Sequence, residues 1–166
     1  RIKKESQIIE KQRNKKESLN YIVLQFNKIN QPNNRILFDI ANFYKNSKEY
    51  SNSIKYYSKL IDSLDDDSEM KSDLLYRRGG SYERSGFHKK ADKDLLDALN
   101  LNPDDAYILN YLAYSWLERD YKIDEAINML EKAYKLESND PYIIDSIGWA
   151  YYLVNDYPKG KLIKVL

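Results

Sequence analysis

The 166-residue chain has no cysteine, only five glycines and four prolines, and a single histidine, His88. The absence of cysteine excludes a disulfide framework, thiolate chemistry and cysteine-type zinc sites. Apolar runs such as 21–24 are only a few residues long, too short to span a membrane. No glycine-rich phosphate loop or serine nucleophile elbow is present, and His88 stands at a polar helix start where we expect it to be solvated. We therefore predict no enzyme activity, no cofactor and no metal.

One acidic stretch, residues 65–69, has the sequence Asp-Asp-Asp-Ser-Glu and needs a separate interpretation. It lacks the alternating ligands and the central glycine of a calcium loop. Carboxylates are favourable at the positive end of a helix, so we interpret these acids as the N-terminus of a helix beginning near Glu69.

Charge is unevenly distributed, although the formal net charge is only +1. Residues 1–33 contain eight Lys/Arg and three Glu, a balance of +5, whereas the remainder contains 19 basic and 23 acidic residues, a balance of −4. A mildly acidic body argues against a nucleic-acid groove, so we expect no nucleic-acid partner. The basic run at 11–16 is typical of a solvated helix face, with contact to anionic lipid or nucleic acid as the alternative.

One pattern recurs about every 34 residues, combining an aliphatic residue, a small residue and an aromatic anchor at fixed spacing. The copies begin at Leu37, Leu75, Leu109 and Ile144, and their anchors are Tyr44, Tyr82, Trp116 and Tyr151. The anchors are separated by 38, 34 and 35 residues. A period in this range is typical of stacked supersecondary units that cannot bury their apolar faces alone.

Apolar residues three and four apart predict amphipathic helices, and the stops fall between them. Gly86 ends one helix, and capping residues beside Pro103 and Pro141 begin others. We predict a basic N-terminal helix over about 6–29, either continuous or broken near Asn14, making nine helices if it is continuous. The helix pairs that follow are 34–46 with 49–63, 69–85 with 88–100, 104–119 with 123–137, and 140–154 with 158–166.

These copies resemble the tetratricopeptide repeat, a helix-turn-helix unit of about 34 residues. Gly79 and Ala113 stand at its close-packing positions in the first helix, and Ala91 and Ala126 at those in the second, whereas Arg78 replaces an expected leucine. The resemblance implies an all-α, right-handed α-solenoid. Its predicted parts are a basic N-terminal helix at 1–33, acting as a degenerate repeat or cap, then repeats at 34–71, 72–105, 106–140 and a truncated fourth at 141–166.

The amino-acid sequence of the third and fourth repeats is similar to that of the repeats in large bacterial tetratricopeptide proteins, many of which are exported. The chain starts at Arg1 rather than Met and stops at Leu166 inside a helical pattern. We therefore expect a fragment of a larger bacterial protein, either cytoplasmic or exported to the periplasm.

In this family the concave face is lined by first-helix residues that point away from the anchors. Here that stripe is rich in tyrosine, and the chain has 16 tyrosines in all. The candidate partner-binding residues are Asn42, Tyr76, Arg77, Tyr107, Asn110, Tyr111, Tyr114, Tyr142, Asp145, Trp149 and Tyr152. Aromatic and arginine side chains dominate interface energetics. The alternative is that these tyrosines replace leucine and pack between repeats.

Some family members hold a C-terminal carboxylate in a Lys/Asn/Arg clamp, but Phe38 stands where one clamp lysine would be, so we do not predict that mode. We predict a protein–protein interaction scaffold that binds a peptide or a partner helix in a concave, tyrosine-rich groove. The alternatives are a structural spacer or a self-association module of a larger protein and, less favoured, RNA binding.

Overall fold

The computed structural model describes residues 2–12, 15–30, 32–64 and 69–154, which form helices joined by short turns without any β-strand. The chain divides into two compact units, Arg1–Ser63 and Leu64–Leu166, and each is described by itself. Among the described helices, none combines the length and the apolarity needed to cross a membrane.

The first unit contains α1 (Ile2–Gln12), α2 (Lys15–Asn27), α3 (Asn34–Asn46) and α4 (Tyr50–Ile61). Of the two alternatives for the N-terminal segment, the structure has the broken form, in which α1 and α2 are separate helices packed as a pair. Two buried serines, Ser6 and Ser18, explain how they approach closely. Their hydroxyl oxygens are 2.7 Å apart, and the Ser18 hydroxyl also donates to the Ser6 carbonyl at 3.0 Å.

Aromatic contacts join α2 to the next helix pair in this unit. Phe26 packs edge-on against Phe43 and Tyr44, with ring centroids 5.5 and 6.3 Å apart. The small and aliphatic face of α3 packs on α4, whose Tyr57 is fully buried. Phe26 of α2 therefore covers part of α3 in this unit.

The second unit contains α5 (Glu69–Arg84), α6 (His88–Leu101), α7 (Ala106–Leu117), α8 (Ile123–Leu136) and α9 (Pro141–Leu153). Consecutive helices form antiparallel pairs, α5 with α6 and α7 with α8, and α9 packs on both α7 and α8. The predicted bounds of α3 to α9 agree with these within two residues at each end. The predicted helix at 158–166 and the acidic stretch before Glu69 lie outside the described residues.

Side-chain caps fix where α7 and α9 begin, and they thereby set the positions of the site residues. The Asp105 carboxylate accepts hydrogen bonds from the backbone N–H groups of Tyr107 and Ile108 at 2.9 and 3.0 Å. Asp140 caps α9 in the same way, and Pro141 occupies its first turn. These caps satisfy amide groups that the first helical turn leaves unpaired.

Each described turn within a repeat has a left-handed residue four positions after the aromatic anchor. These residues are Lys48, Gly86 and Asp120, with φ of 63°, 77° and 49°. The next amide in each turn donates back to the anchor carbonyl, as Phe87 N does to Tyr82 O at 2.9 Å. This is the hydrogen bond that closes a helix C-terminus around a left-handed residue, and only one of the three positions holds glycine.

Candidate functional site

The face shared by α7 and α9 holds most of the predicted groove residues. Helical spacing of three and four places Asn110, Tyr111 and Tyr114 together on α7, and Tyr142, Asp145, Ser146 and Trp149 together on α9. These seven residues line a cleft of about 470 Å³. Ser146 was missing from the sequence prediction; it is buried and its hydroxyl donates to the Tyr142 carbonyl at 2.8 Å, so nothing in its sequence pattern marks it.

Several aromatic side chains at this cleft are open to solvent. Tyr142 is 76% exposed, Tyr114 is 43% exposed and Trp149 is 40% exposed. Tyr152, which is also exposed, stacks on Trp149 with ring centroids 5.6 Å apart and an interplanar angle of 18°. An exposed group of large aromatic side chains at a cleft is typical of an interaction surface.

Tyr111 is instead held in place at the inner side of the cleft. Its hydroxyl donates to Glu83 Oε2 at 3.2 Å, and its ring meets Tyr76 of α5 edge-on with centroids 5.7 Å apart. Burial, followed by the nearby Glu83 carboxylate, raises the pKa of Tyr111 well above the usual tyrosine value. Burial also raises the pKa of Tyr76, with the Asp105 carboxylate contributing. Tyr111 thus links Tyr76 to the cleft.

Asp145 is the only Asp, Glu, Lys, Arg or His within Ala106–Leu117 and Pro141–Leu153. It is exposed, and its carboxylate makes no hydrogen bond or ion pair with any side chain in the part of the chain that the structure describes. The Asn110 side-chain oxygen is buried and likewise has no donor among the described residues. The cleft therefore offers two acceptor groups without donors among the described residues, the Asp145 carboxylate and the Asn110 side-chain oxygen.

Carboxylates also surround the outer tyrosines. The pKa of Tyr107, an exposed residue of α7, is raised chiefly by Asp140 and then by Glu137. The pKa of Tyr114 is raised by partial burial and then by a hydrogen bond to Glu118. Arg84 lowers the pKa of Tyr114, but carboxylates outnumber cations among the groups that act on these two tyrosines.

Five predicted groove residues do not line the cleft, namely Asn42, Tyr76, Arg77, Tyr107 and Tyr152. Arg77 pairs with Asp73 on its own helix, with Nε 2.8 Å from Oδ2. Asn42 belongs to the first unit, where its Oδ1 accepts a hydrogen bond from the Tyr57 hydroxyl at 2.7 Å. Both side chains are therefore engaged in contacts within their own units.

The anchors and the histidine have different environments. Tyr44, Trp116 and Tyr151 are buried, whereas Tyr82 is only partly buried. The expectation of a solvated His88 is wrong for one nitrogen, because Nδ1 is buried with no hydrogen-bond partner among the described residues. The start of α6 packs closely enough to exclude solvent from that atom.

Comparison with known proteins finds the same repeat in part of the chain. The Tetratricopeptide repeat family profile matches residues 35–63 and 72–105. A TPR repeat-containing protein of Pseudomonas aeruginosa is 37% identical over 89 residues, which are 54% of this chain and 14% of that protein. A lipoprotein NlpI homologue of Haemophilus influenzae is 34% identical over 91 residues, 54% of this chain and 28% of that protein. The matched segment is thus a small part of these relatives.

Solved structures agree with the same fold. MamA of Desulfovibrio magneticus superposes with a TM-score of 0.72 at 17% identity, covering 99% of this chain and 89% of that one. The first TPR domain of Spaghetti (RPAP3), solved bound to the HSP90 peptide SRMEEVD, gives 0.65 at 20% identity, covering 76% and 97%. Residues 35–63 and 72–105 match the tetratricopeptide repeat, and the predicted all-α solenoid class of helix-turn-helix repeats is confirmed.

Proposed function

We propose that this chain is a protein-interaction module whose second unit binds an extended peptide or a partner helix in the cleft between α7 and α9. The observation that carries the proposal is the group of exposed aromatic side chains, Tyr114, Tyr142 and Trp149, on the two lining helices. Aromatic side chains provide large contact areas and dominate binding energy at interfaces.

The size of the cleft supports recognition of side chains. A volume of about 470 Å³ lies within the range of sites that enclose a small ligand or a few anchoring groups. Tyr111 is already fixed by Glu83 and Tyr76, so part of the surface is ordered before a partner arrives. Such preorganisation lowers the entropy cost of binding.

The peptide seen on the Spaghetti TPR domain supports the proposal at the level of the fold. That domain holds a peptide on the same class of helical repeats. Tetratricopeptide domains bind protein or peptide partners, so a peptide occupant is consistent with this architecture. One relative is a lipoprotein homologue, which supports export as one of the two predicted compartments.

The test is a selection from a library of displayed random peptides for binding to the 166-residue chain. The selected peptides are then labelled with fluorescein and their binding is measured. We expect Trp149→Ala to weaken binding by about tenfold or more, because it removes an aromatic anchor. Leu136→Ala is the matched control, since Leu136 on α8 is 42% exposed and lies outside the cleft lining. Failure to select any peptide, or equal binding by wild type and Trp149→Ala, would contradict the proposal.

A further inference from the structure

We propose that the occupant of this cleft is a basic segment of a partner protein, with an arginine or lysine side chain placed between the Asp145 carboxylate and the Trp149 ring. This inference rests on the proposed function and specifies the chemistry of the ligand.

Two polar groups of the cleft have no partner among the described residues. Asp145 carries the only formal charge on the two lining helices, and its carboxylate has no partner among the described residues. Asn110 adds a buried side-chain oxygen that lacks a donor within the same part of the chain. Both groups accept hydrogen bonds, so the complementary ligand carries several donors. A guanidinium has five N–H donors and an ammonium has three.

Aromatic rings lie on the same helix as Asp145. Trp149 and Asp145 are four residues apart on α9, so both side chains lie on one face of the helix. Trp149 is 40% exposed and stacks on Tyr152, while the highly exposed Tyr142 occupies the same helix. A cation above an aromatic face is attracted by the ring quadrupole, and tryptophan is the strongest such partner. Arginine also stacks on rings, so it is the better fit.

The second unit as a whole is acidic. Residues 64–166 contain 14 Lys/Arg and 20 Asp/Glu, a formal charge of −6. Carboxylates of Asp140, Glu137 and Glu118 act on the tyrosines of α7, where they raise the pKa values of Tyr107 and Tyr114. A negative field of this kind attracts cationic ligands and accelerates their association.

A second copy of the chain is the competing source of basic residues. Residues 1–63 contain 13 Lys/Arg and six Asp/Glu, a formal charge of +7. The described part of that unit is helical, and a helix with its side chains is about 10 Å across. A cleft of about 470 Å³ fits side chains from a single segment, extended or helical, better than the surface of a folded unit of several helices, so the geometry favours a separate partner.

The experiment uses the peptides selected on the full chain. We expect the winners to be enriched in arginine or lysine beside an apolar residue. Replacing that arginine of the peptide by glutamine should weaken binding to the wild-type protein by about fivefold or more. The same replacement should weaken binding to the Asp145→Asn protein by less than about twofold, because the carboxylate that the arginine contacts is absent. Asp124→Asn is the matched control because it removes one exposed carboxylate from α8, outside the cleft lining.

Trp149 also provides a direct reading of occupancy. The chain has two tryptophans, and Trp116 is only 4% exposed, so cationic peptides should change the emission of Trp149. The change should disappear in Trp149→Phe and should need higher peptide concentrations at high salt.

Each contrary outcome is separable from failure of the proposed function. Winners that are neutral or acidic, or arginine peptides that bind Asp145→Asn as tightly as wild type, would overturn the basic-ligand inference while leaving peptide binding intact. A dimer in sedimentation that Asp145→Asn dissociates would assign the cleft to a second copy and also overturn it. A selection that yields no peptide would remove both proposals together.

Discussion

Arg78 and Asp94 form a doubly hydrogen-bonded ion pair between α5 and α6, with Nε 2.7 Å from Oδ2 and Nη2 2.8 Å from Oδ1. Asp94 is only 3% exposed. One repeat further along, the equivalent positions hold the apolar residues Leu112 and Met129. The second repeat therefore pairs its unexpected, partly buried arginine with a buried carboxylate from the facing helix.

Removing one member of this ion pair should lower the stability of the protein far more than replacing both members by apolar residues. We expect Arg78→Leu alone to lower the free energy of unfolding by about 3–5 kcal/mol, because the Asp94 carboxylate stays buried after its guanidinium is removed. Asp94→Ala should cost less, because Arg78 is partly exposed and also lies over the Tyr82 ring. The double variant Arg78→Leu/Asp94→Met should recover to within about 1 kcal/mol of wild type or exceed it. Urea unfolding followed by tryptophan fluorescence measures this, since Trp116 and Trp149 both lie in the second unit.

The exposed pair Lys93 and Asp97 on α6 provides the control. Asp97→Ala should change stability by less than about 1 kcal/mol, as exposed ion pairs generally do. A double variant at 78 and 94 that is as unstable as either single variant would contradict the interpretation. It would mean that the site cannot repack around apolar side chains.

The sequence predicted what depends on local patterns. The bounds of α7 and α9 follow from helical periodicity and from the caps Asp105 and Asp140, all of which can be seen within a few residues of sequence. The stripe of groove residues on these helices was predictable for the same reason, since spacing of three and four sets a common face.

Contacts between helices were not predictable in the same way. Arg78 was visible as a departure, but its partner Asp94 lies 16 residues away on another helix. Glu83 as the acceptor for Tyr111, across 28 residues, was likewise missed. Such pairs depend on rotamers and helix crossing geometry, which no single-sequence pattern encodes.

At the left-handed turn positions, introducing glycine should stabilise the protein and removing glycine should destabilise it. Asp120 has a φ of 49° and Gly86 a φ of 77° at the equivalent turn. Asp120→Gly should stabilise the second unit by about 0.5–1 kcal/mol, and Gly86→Ala should destabilise it by about 1–2 kcal/mol, because a Cβ is strained in this region. Thermal unfolding of both variants measures the effect. No atom lies within 4 Å of a Cβ at Gly86, so a steric clash cannot account for the loss.

At Gly79, a substitution by alanine should destabilise the protein through a steric clash and not through backbone strain. A Cβ added there would lie 3.0 Å from Leu95 Cγ and 3.3 Å from Asp94 Cβ, where α5 approaches α6. Gly79→Ala should therefore destabilise by about 1–3 kcal/mol, despite the better helix propensity of alanine. In a Leu95→Ala background the extra cost of Gly79→Ala should shrink, since the main contact is gone. Additive costs in urea unfolding would argue against the clash.

The raised pKa of Tyr111 should make the folded state less stable as the pH rises into the alkaline range. An unfolded tyrosine has a pKa of about 10, and burial together with Glu83 raises the pKa of Tyr111 in the folded state. The folded protein then binds a proton that the unfolded chain has lost, so this contribution is fully present below about pH 10 and is lost as pH rises towards the folded pKa. Above about pH 10 the slope should approach 1.4 kcal/mol per pH unit for this group.

The measurement compares wild type with Tyr111→Phe by urea unfolding at several pH values between about 8 and 11. Other tyrosines titrate in both proteins, so the difference between them isolates Tyr111. At neutral pH the variant should lose about 0.5–1.5 kcal/mol with the hydrogen bond to Glu83, and the gap should narrow as the solution becomes alkaline. A gap that stays constant up to pH 11 would show that Tyr111 ionises as easily in the folded protein as in the unfolded chain.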